Sequence, residues 1–279
     1  LDQAKQLAAS YHYDEAIALL EKDDAKEAQQ LLATLKKEKE SLVKWEDPTK
    51  ISHVFFHSLI VDPAKAFHTQ QAQGYKDYMV TISEFNKTID QLYKNNYVLV
   101  NLNGLVKKGT DGKLTFTGVS LPEGKKPLIL SQDDVSYYEY MDNSGFPSKL
   151  IVDKQNQIKN IYIDNKKETV GDYDMVPLID SFIKKHPDFS YQGAKGTLAL
   201  TGYNGVLGYR TSKSEYGDNE KTNKEIEAAK KVADQLKKDG WSFASHTWGH
   251  LNMTQASLAD IQQDNERWQN EVAPILGKT

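Results

Sequence analysis

"KPLILSQDD", Lys126–Asp134, is an apolar run of strand length that ends in two adjacent carboxylates. Leu128, Ile129 and Leu130 make its apolar stretch, and the segment reads as a strand. In parallel α/β folds the functional groups collect where the strands end. Asp133 and Asp134 stand at such an end.

Outward from this strand the chain alternates. "HVFFHSLIVD", His53–Asp62, is an earlier strand, and "SEFNKTIDQLYKNN", Ser83–Asn96, is a helix with Phe85, Ile89 and Leu92 at helical spacing and Ser83 as its N-cap. "YVLVNL", Tyr97–Leu102, is the strand that follows. After the paired aspartates come "GTLALTG", Gly196–Gly202, and "WSFAS", Trp241–Ser245, both strands, with the charged helix "NKEIEAAKKVADQLKKD", Asn223–Asp239, between them. This βα alternation predicts an α/β fold built on a mainly parallel sheet or a (β/α) barrel. An insertion of about residues 145–190 interrupts it. There "SKLIVDKQNQIKNIYID", Ser148–Asp164, reads as a hairpin turning near Gln155–Gln157, and a helix follows over about 174–185. The last helix carries Leu258, Ile261, Trp268 and Val272 on its apolar side.

Residues 1–44 have a different character. Ala4, Leu7 and Ala8, then Ala16, Leu19 and Leu20, then Ala28, Leu31, Leu32 and Leu35 recur at three- to four-residue spacing, which predicts helices. "KWEDPTK", Lys44–Lys50, reads as the linker that ends them, because Pro48 disfavours a helical Asp47. The expected organisation is a helical appendage over 1–47 and an α/β domain over 48–279.

Composition narrows the function classes. The 279 residues carry 35 basic and 39 acidic side chains, a formal charge of −4, so nothing marks a surface for nucleic acid or anionic lipid. With no cysteine, disulfides and thiol catalysis are excluded. No run of about 18 apolar residues reads as a membrane span. Any membrane association is expected to come through a signal or lipid anchor that this stretch lacks.

"SHTWGH", Ser245–His250, follows the last strand of the sheet. His246 and His250 are four apart, a spacing that on one helical turn points both imidazoles at a common ion. A paired carboxylate or a four-residue histidine spacing alone is common without function. Placed at equivalent ends of two parallel strands, one carboxylate and two imidazoles form a ligand set for a divalent catalytic metal, zinc foremost. The glycine-rich stretch "GAKGTLALTGYNGVLGYR", Gly193–Arg210, lacks the ending and spacing of a phosphate loop and reads as a loop where backbone approaches substrate. Tyr203, Tyr209, Arg210 and Trp248 are the substrate-binding candidates. His57, at the end of the first strand, reads as a satisfied structural histidine in preference to a rim residue.

"LSQDD" and "SHTWGH", each following a strand in the alternating region, resemble the polysaccharide deacetylases of carbohydrate esterase family 4. Members carry Thr-Phe-Asp-Asp-Gly and His-Ser/Thr-x-x-His-Pro motifs on a distorted (β/α) barrel. The resemblance implies that Asp133 is the general base and that Asp134, His246 and His250 ligate the metal. Ser131-Gln132, Val135 and Leu251 depart from the motifs, and none of these departures removes a ligand. The implied activity is metal-dependent N-deacetylation of an N-acetylhexosamine polysaccharide of the cell wall or extracellular matrix, in an exported, envelope-associated protein of Gram-positive type. The family draws its acid from a later histidine, and no histidine follows His250. With five strands read and none after the last helix, the barrel is expected to be truncated at its C-terminus, a further segment beyond Thr279 completing fold and site. The rival reading is a non-catalytic carbohydrate-binding or scaffold module whose N-terminal helices bind a protein partner.

Overall fold

The computed structural model describes residues 1–277; the expectation about the chain end at Thr279 lies outside them. The elements that matter here are α1 (Asp2–Ala9), α2 (Tyr13–Leu20), α3 (Lys26–Glu40), β1 (Ser52–Phe56), α4 (Ile82–Lys94), β2 (Tyr97–Leu99) and β3 (Lys126–Asp134). They continue with β4 (Lys149–Val152), β5 (Ile158–Asp164), β6 (Lys167–Gly171), α5 (Met175–Lys185), β7 (Thr197–Leu200), α6 (Glu220–Lys238), β8 (Ser242–Ser245) and α7 (Leu258–Glu271). The chain divides into two compact units. One takes 1–54, 89–130 and 181–196; the other takes 55–88, 131–180 and 197–279.

In the first unit the three N-terminal helices bury Ala4, Ala16, Leu20, Ala28, Leu32 and Leu35, and this stripe shares a core with Val98, Val100, Leu105, Val119 and Leu121. β2 pairs in parallel with the start of β3, Tyr97 opposite Lys126 and Leu99 opposite Leu128. The segment read as a linker is partly strand: Val43–Trp45 pairs antiparallel with Val119–Leu121 before Asp47 caps a short turn at Pro48.

The second unit holds the parallel strand ends. β7 lies between β3 and β8, and the order of the five-stranded sheet is β8-β7-β3-β1, with β2 on the start of β3. Among the described residues this path is open at both ends, so they do not close the expected barrel. What is present is a mixed α/β fold around a parallel sheet. On β3, Leu128 and Leu130 share one face and are fully buried, while Ile129 on the other face is partly buried. α6 buries Ala229, Val232, Ala233 and Leu236, and its first turn is held by Asn219, which accepts from the Thr222 N–H. The cap of α4 is Thr81 rather than Ser83. Its hydroxyl accepts from the Glu84 N–H while Glu84 accepts from the Thr81 N–H, a reciprocal box one residue outside the helix.

The insertion forms the hairpin β4–β5 with its turn tied by Asp153, and adds an unforeseen third strand, β6, in the order β6-β5-β4. On α7 the buried residues are Asp264 and Trp268, while Leu258 is exposed and lies off the expected apolar side. Among the described residues no helix is long and apolar enough to cross a membrane.

Candidate metal centre and active site

Register brings the two motifs to one level. Leu200 of β7 pairs with Asp134 on one side and Ser245 on the other, and the His246 N–H donates to the Leu200 carbonyl at 2.9 Å. Two strand ends therefore deliver Asp134 and His246 beside each other. Asp134 Oδ1 lies 3.7 Å from His246 Nε2 and 3.8 Å from His250 Nε2, and one donor atom from each residue falls within 4.8 Å of the others. Donors that each bond one ion at about 2.0–2.2 Å can be no more than roughly 4.4 Å apart, a limit that both Asp134–histidine distances meet. Asp134 Oδ1 is buried and has no hydrogen-bond partner among the described residues. Such an atom is costly unless something positive faces it.

The histidines are not on a helical turn. Residues 246–250 form a loop in which Thr247 (φ 63°) and His250 (φ 54°) are left-handed. The loop keeps this shape because it is tied on every side. Asp264 of α7 accepts from the Trp248 and Gly249 N–H groups, each at 2.6 Å. The Trp248 carbonyl accepts from the Gly202 and Tyr203 N–H groups, and the Leu251 N–H donates to the Thr247 hydroxyl. Side-chain exposure is 29% for His246, 15% for Asp134 and 55% for His250, so the cluster opens to solvent on the His250 side.

The turn after β3 is equally constrained. Asp134 (φ 71°), Val135 (φ 47°) and Tyr137 (φ 48°) are all left-handed, a conformation that strains a β-branched residue, and Val135 is where the resembled motif has glycine. Arg210 clamps this turn: its guanidinium donates to the carbonyls of Ser136 (3.3 Å), Tyr137 (2.7 Å) and Asn204 (2.8 Å). Below it lies Asp174, fully buried. Asp174 accepts from the Leu59 and Met175 N–H groups, the Gln132 amide at 2.8 Å and the Tyr137 hydroxyl at 2.5 Å. Burial raises its pKa to about 6 against those four bonds. Gln132 also donates to the His57 carbonyl, which ties the end of β1 to the residue before Asp133. Asn160 of the insertion donates to the Tyr137 hydroxyl, so the insertion braces this network.

The substrate-binding candidates have separate fates. Tyr203 lies beside the histidine loop, its ring 6.4 Å from that of Trp248. Trp248 is buried, with Arg267 over its ring and its indole N–H on Glu271. Tyr209 is buried and donates to the Leu150 carbonyl, away from the cluster. The close backbone approach expected of the glycine-rich stretch serves Trp248: a Cβ on Gly202 would sit 2.0 Å from that ring. His57 Nδ1 lies 2.9 Å from the Tyr78 carbonyl. Asp174 and Asp264 were not singled out from sequence, although Asp264 sits three residues after Ile261 and four before Trp268, a carboxylate in an apolar stripe.

The polysaccharide deacetylase family model matches residues 215–279. Through this segment, and not over most of its length, the chain is similar to that family. The match contains His246, His250 and the Asp264 that holds their loop, while Asp133 and Asp134 lie outside it. It points to hydrolytic deacetylation of a polysaccharide, and the deacetylase segment meets Asp134 in an Asp-His-His group able to take a metal ion. The chain matches no curated protein and no solved structure.

Proposed function

We propose that the protein is a metal-dependent deacetylase of N-acetylhexosamine-containing polysaccharide, with Asp134, His246 and His250 holding zinc or a similar divalent ion and Asp133 as the base. The observation that carries this reading is the partnerless buried Oδ1 of Asp134, facing two imidazole nitrogens at 3.7 and 3.8 Å. A bound ion would supply Lewis acidity toward the acetamide carbonyl and acidify a water. The remaining work falls to the chain. Asp133 directly precedes Asp134, so both carboxylates stand at the end of β3. The left-handed turn at Asp134 then redirects the backbone, and the Arg210 clamp fixes it. No side-chain hydrogen bond from the described residues occupies the Asp133 carboxylate, which leaves it able to take a proton from the attacking water. The departing amine takes up a proton, and Asp133, having gained one, can return it.

Within this reading the parallel sheet corresponds to part of the family's distorted barrel, and the substrate is an envelope or extracellular glycan. The test separates base from ligand. Asp133→Asn should abolish acetate release from N-acetylglucosamine oligomers while zinc content by elemental analysis stays near that of the parent. Asp134→Ala should lose both. Equal metal loss in the two variants would remove Asp133 from the role of base, and acetate release surviving in Asp134→Ala would remove the metal from the reaction.

A further inference from the structure

We propose that Tyr140 is an aromatic platform for the sugar residue next to the one being deacetylated, so that the site selects oligomeric glycan over a single sugar; this rests on the deacetylase reading above. Three tyrosines stand in a stack beside the cluster. Tyr203 and Tyr138 lie nearly parallel, 4.5 Å apart at 7°, and Tyr138 and Tyr140 follow at 5.4 Å and 15°. The inner end of the stack, Tyr203, meets Trp248 of the histidine loop. The middle ring is buried and fixed by its hydroxyl, 2.6 Å from the Thr201 hydroxyl, which itself lies 3.0 Å from the Ser136 hydroxyl. The outer ring, Tyr140, is 48% exposed although one of its faces rests on Tyr138. The residue is therefore half exposed while its ring is held at a set angle by the two rings behind it.

An exposed aromatic ring usually lies flat on apolar surface or moves freely. Here the ring has been oriented in advance, so a ligand that stacks on it loses little to ordering. A pyranose presents a face of C–H groups between its equatorial hydroxyls, an apolar face with a polar edge, which suits a tyrosine ring. The platform is also close to the reaction centre. Two stacking steps separate it from Tyr203, whose ring lies 6.4 Å from that of Trp248, between the two histidines. Yet Tyr203, not Tyr140, touches the loop of the ligands. The sugar on Tyr140 is accordingly a neighbour along the chain, two ring steps out. The adjoining backbone is fixed as well: the Glu139 N–H donates to Asn204, and the Glu139 carboxylate accepts from the Tyr216 hydroxyl.

The experiment compares the affinities of N-acetylglucosamine and its oligomers for the metal-loaded full chain, by calorimetry or ligand-observed NMR, alongside acetate release. In Tyr140→Ala the preference for oligomer over monosaccharide should fall about tenfold, as loss of a stacking partner does elsewhere. Tyr140→Phe and Tyr140→Trp, which keep the ring, should preserve it. An unchanged preference in Tyr140→Ala, in a parent that releases acetate, overturns the platform and leaves the deacetylase reading standing. A fall that is equal for monosaccharide and oligomer overturns the assignment to a neighbouring sugar. A parent that neither binds nor deacetylates any of these glycans overturns both.

Discussion

Replacing Asp264 by alanine removes the group that shapes the histidine loop without touching either histidine. Asp264 is 8% exposed and accepts from two main-chain N–H groups at 2.6 Å. Truncation leaves both donors facing an apolar methyl, at about 1–3 kcal/mol for each buried donor left unmade. The loop can swing toward water and recover part of this, so the expected loss of stability is about 2–4 kcal/mol. Metal affinity should suffer separately. Thr247 and His250 hold left-handed conformations only while the loop is tied, and release of such a support commonly weakens a metal site by about 10–100-fold. Asp264→Asn keeps one acceptor oxygen and should lie between the parent and the alanine variant in both measures. Urea unfolding without metal gives the first quantity and zinc titration against a chelator gives the second. A folded Asp264→Ala protein with the zinc affinity of the parent would refute the argument that this carboxylate organises the ligands.

Three further outcomes follow from the geometry. His250→Ala should bind zinc at least tenfold more weakly, measured by the same titration, because two donors remain of three; undiminished affinity would mean that His250, the most exposed of the group, is not a ligand. Asp174, raised to about 6 by burial, binds its proton more tightly in the folded chain than in the unfolded one, so its contribution to stability is largest below pH 4 and is lost as pH rises through 6. That slope amounts to about 3 kcal/mol and should be missing from urea unfolding of Asp174→Asn across this window. Gly202→Ala places a methyl 2.0 Å from the Trp248 ring and should destabilise by about 1–3 kcal/mol, read as a lower urea midpoint; an unchanged midpoint would show the loop to be more yielding than its bonds imply.

Much of this arrangement is written plainly in the chain. A short apolar run is enough to mark a strand, so β3 and its terminal aspartates could be read from "LILSQDD". α6 is legible because its alanines, Val232 and Leu236 keep helical spacing. Other features leave weaker traces. The spacing of His246 and His250 is the same in a helix and in the observed loop, and only the bonds from Asp264 and Gly202, far away in sequence, select the loop. β6 was hidden because Asn165 and Lys166 form its turn with both residues left-handed, without the Asn-Gly pair that marks such hairpins. The short pairing of Val43–Trp45 with Val119–Leu121 spans three residues, too few to establish a period. Tyr140 sits in a three-residue helical turn, Glu139–Met141, too short to show a period, and its alignment with Tyr138 and Tyr203 arises only when the ends of β3 and β7 come together.

The central claim is that Asp134, His246 and His250 carry an ion on which deacetylation depends. Its most direct test is acetate release from N-acetylglucosamine oligomers by chelator-stripped protein as zinc is added back in increments. The account predicts no release from the stripped chain and recovery that levels off near one equivalent of zinc. Release that persists after stripping, or that stays absent at full zinc occupancy, would contradict it.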